Sequence, residues 1–175
     1  MASSKNILRR LAGGDRRSLG QTNQVAALVL KRPALFGELI RGLGAPDPLV
    51  RMRAADAAEK VSLERPDLLV PFKTDLLRLL DAATEQELRW HLAQMVPRLP
   101  LTKSERLRAF LAFQRYLQDR SSIVRTCAMQ ALADLVSTGA ELVHQVAQLL
   151  RKHTQNGTAA MKARGRKLLR QLDRG

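Results

Sequence analysis

Lysine and arginine side chains are the most prominent candidates for ligand binding in this sequence. Its 175 residues include 30 lysines and arginines against 16 aspartates and glutamates, a formal net charge of +14. Residues 151–175 alone hold eight basic side chains and one acidic side chain. Clustered cations neutralise phosphates and release counterions, so this cluster predicts salt-sensitive binding of nucleic acid. The candidate patch for a phosphate or an acidic partner consists of Arg151, Lys152, Lys162, Arg166, Lys167 and Arg170.

A solvated end cap is the alternative interpretation of the same cluster, because net charge also keeps a protein soluble. Arg166 and Arg170 are four residues apart and fall on one face of a helix, which favours a real patch. No aromatic residue lies among these cations, so base stacking is not predicted. The cluster therefore predicts at most contact with a phosphate backbone, without readout of base sequence.

Residues typical of catalysis or of metal binding are few and scattered. His91, His144 and His153 share no ligand spacing with one another or with Cys127, the single cysteine. The sequence contains neither a glycine-rich phosphate loop nor a nucleophile-elbow motif. We therefore expect no enzymatic activity, no cofactor and no bound metal ion.

The elements that must position these residues are repeated along the chain. A hydrophobic residue precedes a basic one at Val50-Arg51, Leu88-Arg89, Val124-Arg125 and Met161-Lys162, and the basic residues are 38, 36 and 37 positions apart. Apolar or small residues recur three, six and ten positions after each basic residue, the spacing of one helix face. Polar residues recur five and nine positions after it. This period predicts stacked copies of one helical unit.

A further helix is predicted before each repeated one. Stretches 33–43, 68 or 71 to 82, 103–117 and 141–154 have helical patterns, and residues 6–11 and 19–31 predict two more helices around a Gly13-Gly14 break. Thr102 and Glu105 form a capping box, and Asp47 before Pro48 is a good N-cap. Gly44 and Gly157 stand where helix C-caps are expected.

The repeated unit is similar to a known family. The pattern Asp-x-x-Val-Arg-x-x-Ala-x-x-Ala after a leucine-rich helix resembles the HEAT repeat of the armadillo-type α-solenoids; residues 47–57 carry it in full, and residues 121–131 have serine for the aspartate. The resemblance covers residues 33–172 and implies an all-α fold, a right-handed α-solenoid of HEAT-like helix pairs. We expect one domain over residues 1–175, with capping helices in 1–32 and about four helix pairs in 33–173.

The resemblance also gives the repeated basic residue a structural role. In the HEAT family, the corresponding arginine commonly supports packing between successive repeats, often near an acidic residue. Asp47 and Glu85 stand four residues before their basic partners, whereas Ser121 and Thr158 offer only a hydroxyl there. We therefore expect a brace between repeats rather than a stripe of ligand contacts.

Second helices of HEAT units generally line the concave surface, and the resemblance implies the same here. The candidate contacts on that face follow the basic residue by one, two or five positions: Arg53, Trp90, His91, Gln94 and Arg164. Tryptophan is enriched in binding hot spots, so Trp90 beside His91 is the central candidate. Packing within the core is the alternative for Trp90.

These features predict a non-catalytic scaffold that recognises a protein partner through the concave helical face. The alternative is non-specific nucleic-acid binding through the basic ends. A class of DNA glycosylases is also HEAT-like, with an aspartate and aromatics in a basic groove, but this chain has one Trp, one Tyr and no motif on which to transfer those roles.

Compartment and assembly follow from composition. No apolar run reaches about 18 residues, so no membrane span is expected. A single cysteine suits the reducing cytoplasm, although the arginine- and serine-containing start could also mimic an organelle transit peptide. We expect a cytoplasmic monomer.

Overall fold

The computed structural model describes residues 6–15, 18–137 and 140–173, and within these ranges all regular structure is helical. The all-α expectation is therefore confirmed. The α-helices are α1 (Asn6–Leu11), α2 (Thr22–Lys31), α3 (Phe36–Gly42), α4 (Pro48–Glu64), α5 (Lys73–Ala82), α6 (Gln86–Met95), α7 (Lys103–Tyr116), α8 (Ser122–Val136), α9 (Val143–Asn156) and α10 (Ala159–Leu172). The chain divides into two compact units, residues 1–76 and residues 77–175, with the boundary inside α5.

The first helix of each predicted pair forms close to its predicted bounds. Three of these helices, α3, α5 and α9, are preceded by 3-10 turns at Pro33–Leu35, Pro66–Phe72 and Ala140–Leu142. Proline suits the start of two of these turns because its ring fixes φ and no N–H is needed there. The predicted capping box is present at the start of α7, where Thr102 and Glu105 satisfy each other's backbone N–H groups.

The four repeated helices begin in the same register. Helices α4, α6, α8 and α10 each start three residues before the repeated basic residue. The residue four before it is the N-cap, and side-chain oxygens of Asp47, Ser121 and Thr158 accept a backbone N–H in the first turn. The polar residue at this column therefore ends the preceding loop and begins the helix.

The apolar columns form the core. The core columns are the residue one before each repeated basic residue and the residues three, six and ten after it. All of them are buried except Leu172, which is half-buried at the end of the last helix. In residues 77–175, α8 packs against α6, α7, α9 and α10, and α9 packs against α10. In residues 1–76, α1, α2 and α3 all pack against α4. Each unit is thus built around one repeated helix.

Small residues in the repeated columns permit close helix contact. A Cβ atom placed on Gly165 of α10 would lie 1.8 Å from Thr154 Oγ1 of α9 and 2.9 Å from Met129 Cε of α8. Both distances are shorter than van der Waals contact, so any side chain here would displace a neighbour. Gly165 therefore lets α10 approach two helices at once.

The repeated arginines brace the ends of their helices. Arg51 Nη1 donates to the carbonyl oxygen of Ala45 at 2.6 Å, and Arg89 Nε donates to that of Ala83 at 2.9 Å, six residues earlier in both cases. Arg89 Nη1 also donates to Asp119 Oδ2 at 2.5 Å, in the segment before α8. Of these contacts, only Arg89 to Asp119 connects two successive repeats, as expected of a brace; the Arg51 contact stays within its own unit.

Candidate functional site

Polar side chains of α6 and α8, with the residues that follow each helix, line an open groove in the second unit. The groove has a volume of about 320 Å³ and is lined by Gln94, Pro97, Arg98, Gln130, Asp134 and Ser137. Four of these stand five and nine positions after a repeated basic residue and are therefore equivalent in two successive repeats; Arg98 lies just after α6, and the other three lie on α6 and α8. Because α6 packs against α8, the equivalent polar residues lie side by side. We call this surface the polar groove.

Hydrogen bonds connect three successive side chains along the polar groove. Arg164 Nη1 of α10 donates to Gln130 Oε1 at 2.9 Å. Gln130 Nε2 donates in turn to Asp134 Oδ1 at 2.8 Å. On α6, Gln94 Nε2 donates to the carbonyl oxygen of Trp90 at 3.3 Å. The amide of Gln130 is thus fixed at both ends, and a bound chain would meet it in a defined orientation.

Asp134 is the acidic side chain that lines this groove. Burial raises the pKa of the Asp134 carboxyl, while the hydrogen bond from Gln130 and the positive charges of Arg98 and Arg164 act in the opposite direction without cancelling the effect. Carboxyl groups with a shifted pKa are typical of functional sites, although structural networks of charged groups also produce such shifts.

Three of the five predicted concave-face contacts lie where a partner could reach them. Gln94 lines the polar groove and Arg164 is exposed beside it, bonded to Gln130. Trp90 is half-buried, and its ring meets the ring of His91 edge-on, with centroids 5.5 Å apart and an angle of 60° between the planes. Part of the indole remains accessible one helical turn before Gln94.

Arg53 and His91 require a correction, because the structure buries both. Arg53 is 2% exposed and His91 is 6% exposed, so neither offers a contact surface to a partner. The guanidinium of Arg53 instead donates to main-chain carbonyls in the segment between α1 and α2. Position in the repeat was insufficient to predict the exposure of Arg53, because the carbonyl groups of residues 11, 13, 15 and 18 lie against its guanidinium.

Arg98 and Gln130 were not predicted as contacts from the sequence, although they line the polar groove with Asp134. The signal was present in the polar columns five and nine positions after the basic residue. These columns are polar in all four repeats; they are half-buried in the first three and exposed in the last, and on α6 and α8 they mark the face on which the two helices meet.

All six residues of the predicted phosphate patch are exposed. In the part of the chain that the structure describes, no carboxylate forms an ion pair with any of them. We call them the terminal basic surface: Arg151, Lys152, Lys162, Arg166, Lys167 and Arg170. Arg174, which belongs to the same sequence cluster, lies outside the described residues.

A second, mostly apolar groove lies at the start of α7. Its volume is about 590 Å³, and it is lined by Thr102, Lys103, Ser104, Leu107, Glu141 and Leu142. Leu107 is exposed, and so is Leu111 one turn later on α7. The sequence did not single out this face, because its apolar residues fall outside the repeated columns.

Comparisons of this chain with known proteins found no match. No protein-family model, curated protein or solved structure matches it. Among the described helices, none combines the length and the apolar character needed to cross a membrane. Nor do three or more His, Cys, Asp or Glu side chains of the described residues come together in an arrangement that could hold a metal ion.

Proposed function

We propose that this chain is a non-catalytic binding module, a HEAT-like α-solenoid whose second helices hold a segment of a partner protein in the polar groove. The observation that carries the proposal is the chain of hydrogen bonds from Arg164 through Gln130 to Asp134. It orients polar groups in a groove before any ligand is bound. Such pre-organisation lowers the entropic cost of binding.

Two features support the solenoid itself. The four repeated helices share one register of N-cap, basic residue and apolar columns. In the second unit, α6 contacts α8 and α8 contacts α10, so consecutive second helices are neighbours. Nearest-neighbour packing of equivalent helices is the defining property of repeat proteins.

The chemistry of the groove favours an extended polypeptide as the partner. The side-chain amides of Gln94 and Gln130 provide both donors and acceptors, which match the N–H and C=O groups of a peptide backbone. Arg98 and Asp134 add one charge of each sign. Trp90, half-buried on α6, supplies an aromatic anchor of the kind that dominates interface energetics.

Selection from a displayed library of random peptides tests the proposal. The full chain is the bait, and the affinity of each selected peptide is then measured for the wild type and for a Gln94→Ala/Gln130→Ala variant. We expect the double substitution to weaken binding at least about tenfold, because two buried hydrogen-bonding groups are lost from the interface.

The matched control is Gln114→Ala/Gln145→Ala, which removes two exposed glutamines from α7 and α9. This control should change affinity less than about twofold, since surface polar groups outside a contact contribute little. Failure to select any peptide, or peptides bound equally well by both double variants, would overturn the assignment of the polar groove.

A further inference from the structure

The last two helices form a cationic surface free of carboxylates. Between residues 143 and 172 the sequence contains seven lysines and arginines and not one aspartate or glutamate. One of the seven, Arg164, lies beside the polar groove and is bonded to Gln130. The other six form the terminal basic surface, and all are exposed. Their mutual repulsion is relieved only by solvent, salt or an anionic ligand.

These cations stand on a rigid support. Gly165 lets α10 pack directly onto Thr154 of α9 and Met129 of α8, and the Thr158 side chain caps the first turn of α10. Side chains four residues apart on a helix are about 6 Å apart along its axis. Lys162, Arg166 and Arg170 therefore form a regular row along α10.

The composition of the surface decides which polyanion it fits. Membrane-surface helices carry large apolar side chains between their cations, but the exposed large hydrophobic residues of the described chain all lie before residue 143. Protein interfaces use aromatic anchors, and the sequence has no aromatic residue after Tyr116. The terminal basic surface therefore offers cations without apolar or aromatic anchors, and cations are sufficient to bind a phosphate backbone.

The absence of aromatic residues also distinguishes double from single strands. Proteins that hold single strands without sequence preference stack bases on aromatic side chains, which this surface does not offer. A duplex carries about one negative charge per 1.7 Å of its axis, so it presents the denser array of phosphates.

We propose that the terminal basic surface binds the sugar-phosphate backbone of duplex nucleic acid, without reading its base sequence. The site is separate from the polar groove and does not depend on the function assigned to that groove. Phosphate contacts of this kind position a protein on a duplex and carry no sequence information.

The test is a fluorescence-anisotropy titration of the full chain against random-sequence duplex DNA of about 20 base pairs, between about 50 and 200 mM salt. With four to six phosphates neutralised, the slope of log K against log salt should lie between about −3.6 and −5.4. Lys162→Gln/Arg166→Gln/Arg170→Gln should weaken binding at least about tenfold and make the slope shallower by about 3.

The control variant also loses three positive charges, but from residues outside the terminal basic surface. Lys31, Arg32 and Arg120 are exposed cations outside α9 and α10, and their triple replacement by glutamine leaves the terminal basic surface intact. We expect this variant to bind the duplex within about threefold of wild type, because all six cations of the terminal basic surface are retained. Both triple variants should melt like the wild type, because every substituted side chain is exposed.

Four results would overturn the proposal. The first is that the wild type does not bind the duplex at the lowest salt, and the second is that both triple variants lose the same affinity for it. The third is that a single strand of the same length binds about tenfold more tightly than the duplex. The fourth is that anionic phospholipid vesicles or polyglutamate compete for the protein as well as unlabelled duplex does. The Gln94→Ala/Gln130→Ala variant should keep duplex binding, so failure of the peptide experiment and failure of this one are distinguishable.

Discussion

The guanidinium of Arg53 holds the main-chain carbonyl of Ser18 with two hydrogen bonds, from Nε at 3.2 Å and from Nη2 at 2.9 Å, across 35 residues of sequence. Three more donor contacts reach the carbonyl oxygens of Leu11, Gly13 and Asp15. Four main-chain carbonyls, at residues 11, 13, 15 and 18, thus surround one buried cation, whose charge is solvated by backbone dipoles instead of water.

Replacement of Arg53 by methionine should destabilise the chain by roughly 2–4 kcal/mol, because buried carbonyl acceptors lose their donors. Urea unfolding, monitored by circular dichroism, measures the change. Arg53→Lys keeps the charge but cannot supply a planar fork of donors, so an intermediate loss is expected. A methionine variant as stable as the wild type would show that the guanidinium contacts contribute nothing to folding.

Arg89 and Asp119 should be energetically coupled. The pair is largely shielded from solvent, and the Arg89 guanidinium also lies 5.2 Å from the centre of the Tyr116 ring. A double-mutant cycle with Arg89→Met and Asp119→Asn should give a coupling of about 1 kcal/mol, because partial burial limits screening. The exposed pair Arg65 and Asp67 is the control and should couple more weakly. Equal coupling in the two pairs would contradict a bracing role for Arg89.

Local sequence determined much of this structure, while contacts across long separations did not follow from it. The starts of α4 and α7 could be predicted because Asp47 and Thr102 cap the backbone a few residues away. The burial of Arg53 could not, since its acceptors lie 35 to 42 residues earlier and periodicity reports only which helix face a residue occupies.

In the candidate site, too, some features could be predicted from the local sequence and others depended on contacts between distant residues. The polar columns were visible in the sequence, but the hydrogen bond from Arg164 to Gln130 joins residues 34 positions apart and requires α8 and α10 to pack together. Exposure of the terminal cations was easier to predict, because lysine and arginine are almost never fully buried without partners.

Gly165 should tolerate no side chain. Gly165→Ala gains helix propensity of up to about 1 kcal/mol, yet its Cβ would meet Thr154 Oγ1 at 1.8 Å, so we expect a net loss of about 1–3 kcal/mol. Adding Thr154→Ala removes the oxygen and should restore part of the loss. Gly44→Ala is the control, because the nearest atom to its new Cβ, the Arg41 carbonyl oxygen, is 3.7 Å away. Thermal unfolding of the wild type and the three variants measures these changes, and similar melting of Gly165→Ala and Gly44→Ala would contradict the close helix contact.

Asp134→Asn should stabilise the chain near neutral pH. The folded-state pKa of Asp134 is raised, chiefly by burial, so the folded chain holds this proton more tightly than the unfolded chain does. The stabilising effect of the proton is complete below the ordinary aspartate pKa and is lost as pH rises through the raised value. Asparagine is neutral at every pH and can still accept the hydrogen bond from Gln130.

The melting temperature of Asp134→Asn should therefore exceed that of the wild type at pH 7, and the difference should shrink as pH falls towards 4. A difference that is independent of pH would exclude ionisation as its cause. Peptides selected on the polar groove should bind the stabilised variant more weakly, because the groove loses its negative charge. Higher stability with lower affinity is the relationship expected where a protein keeps an unfavourable charge for function.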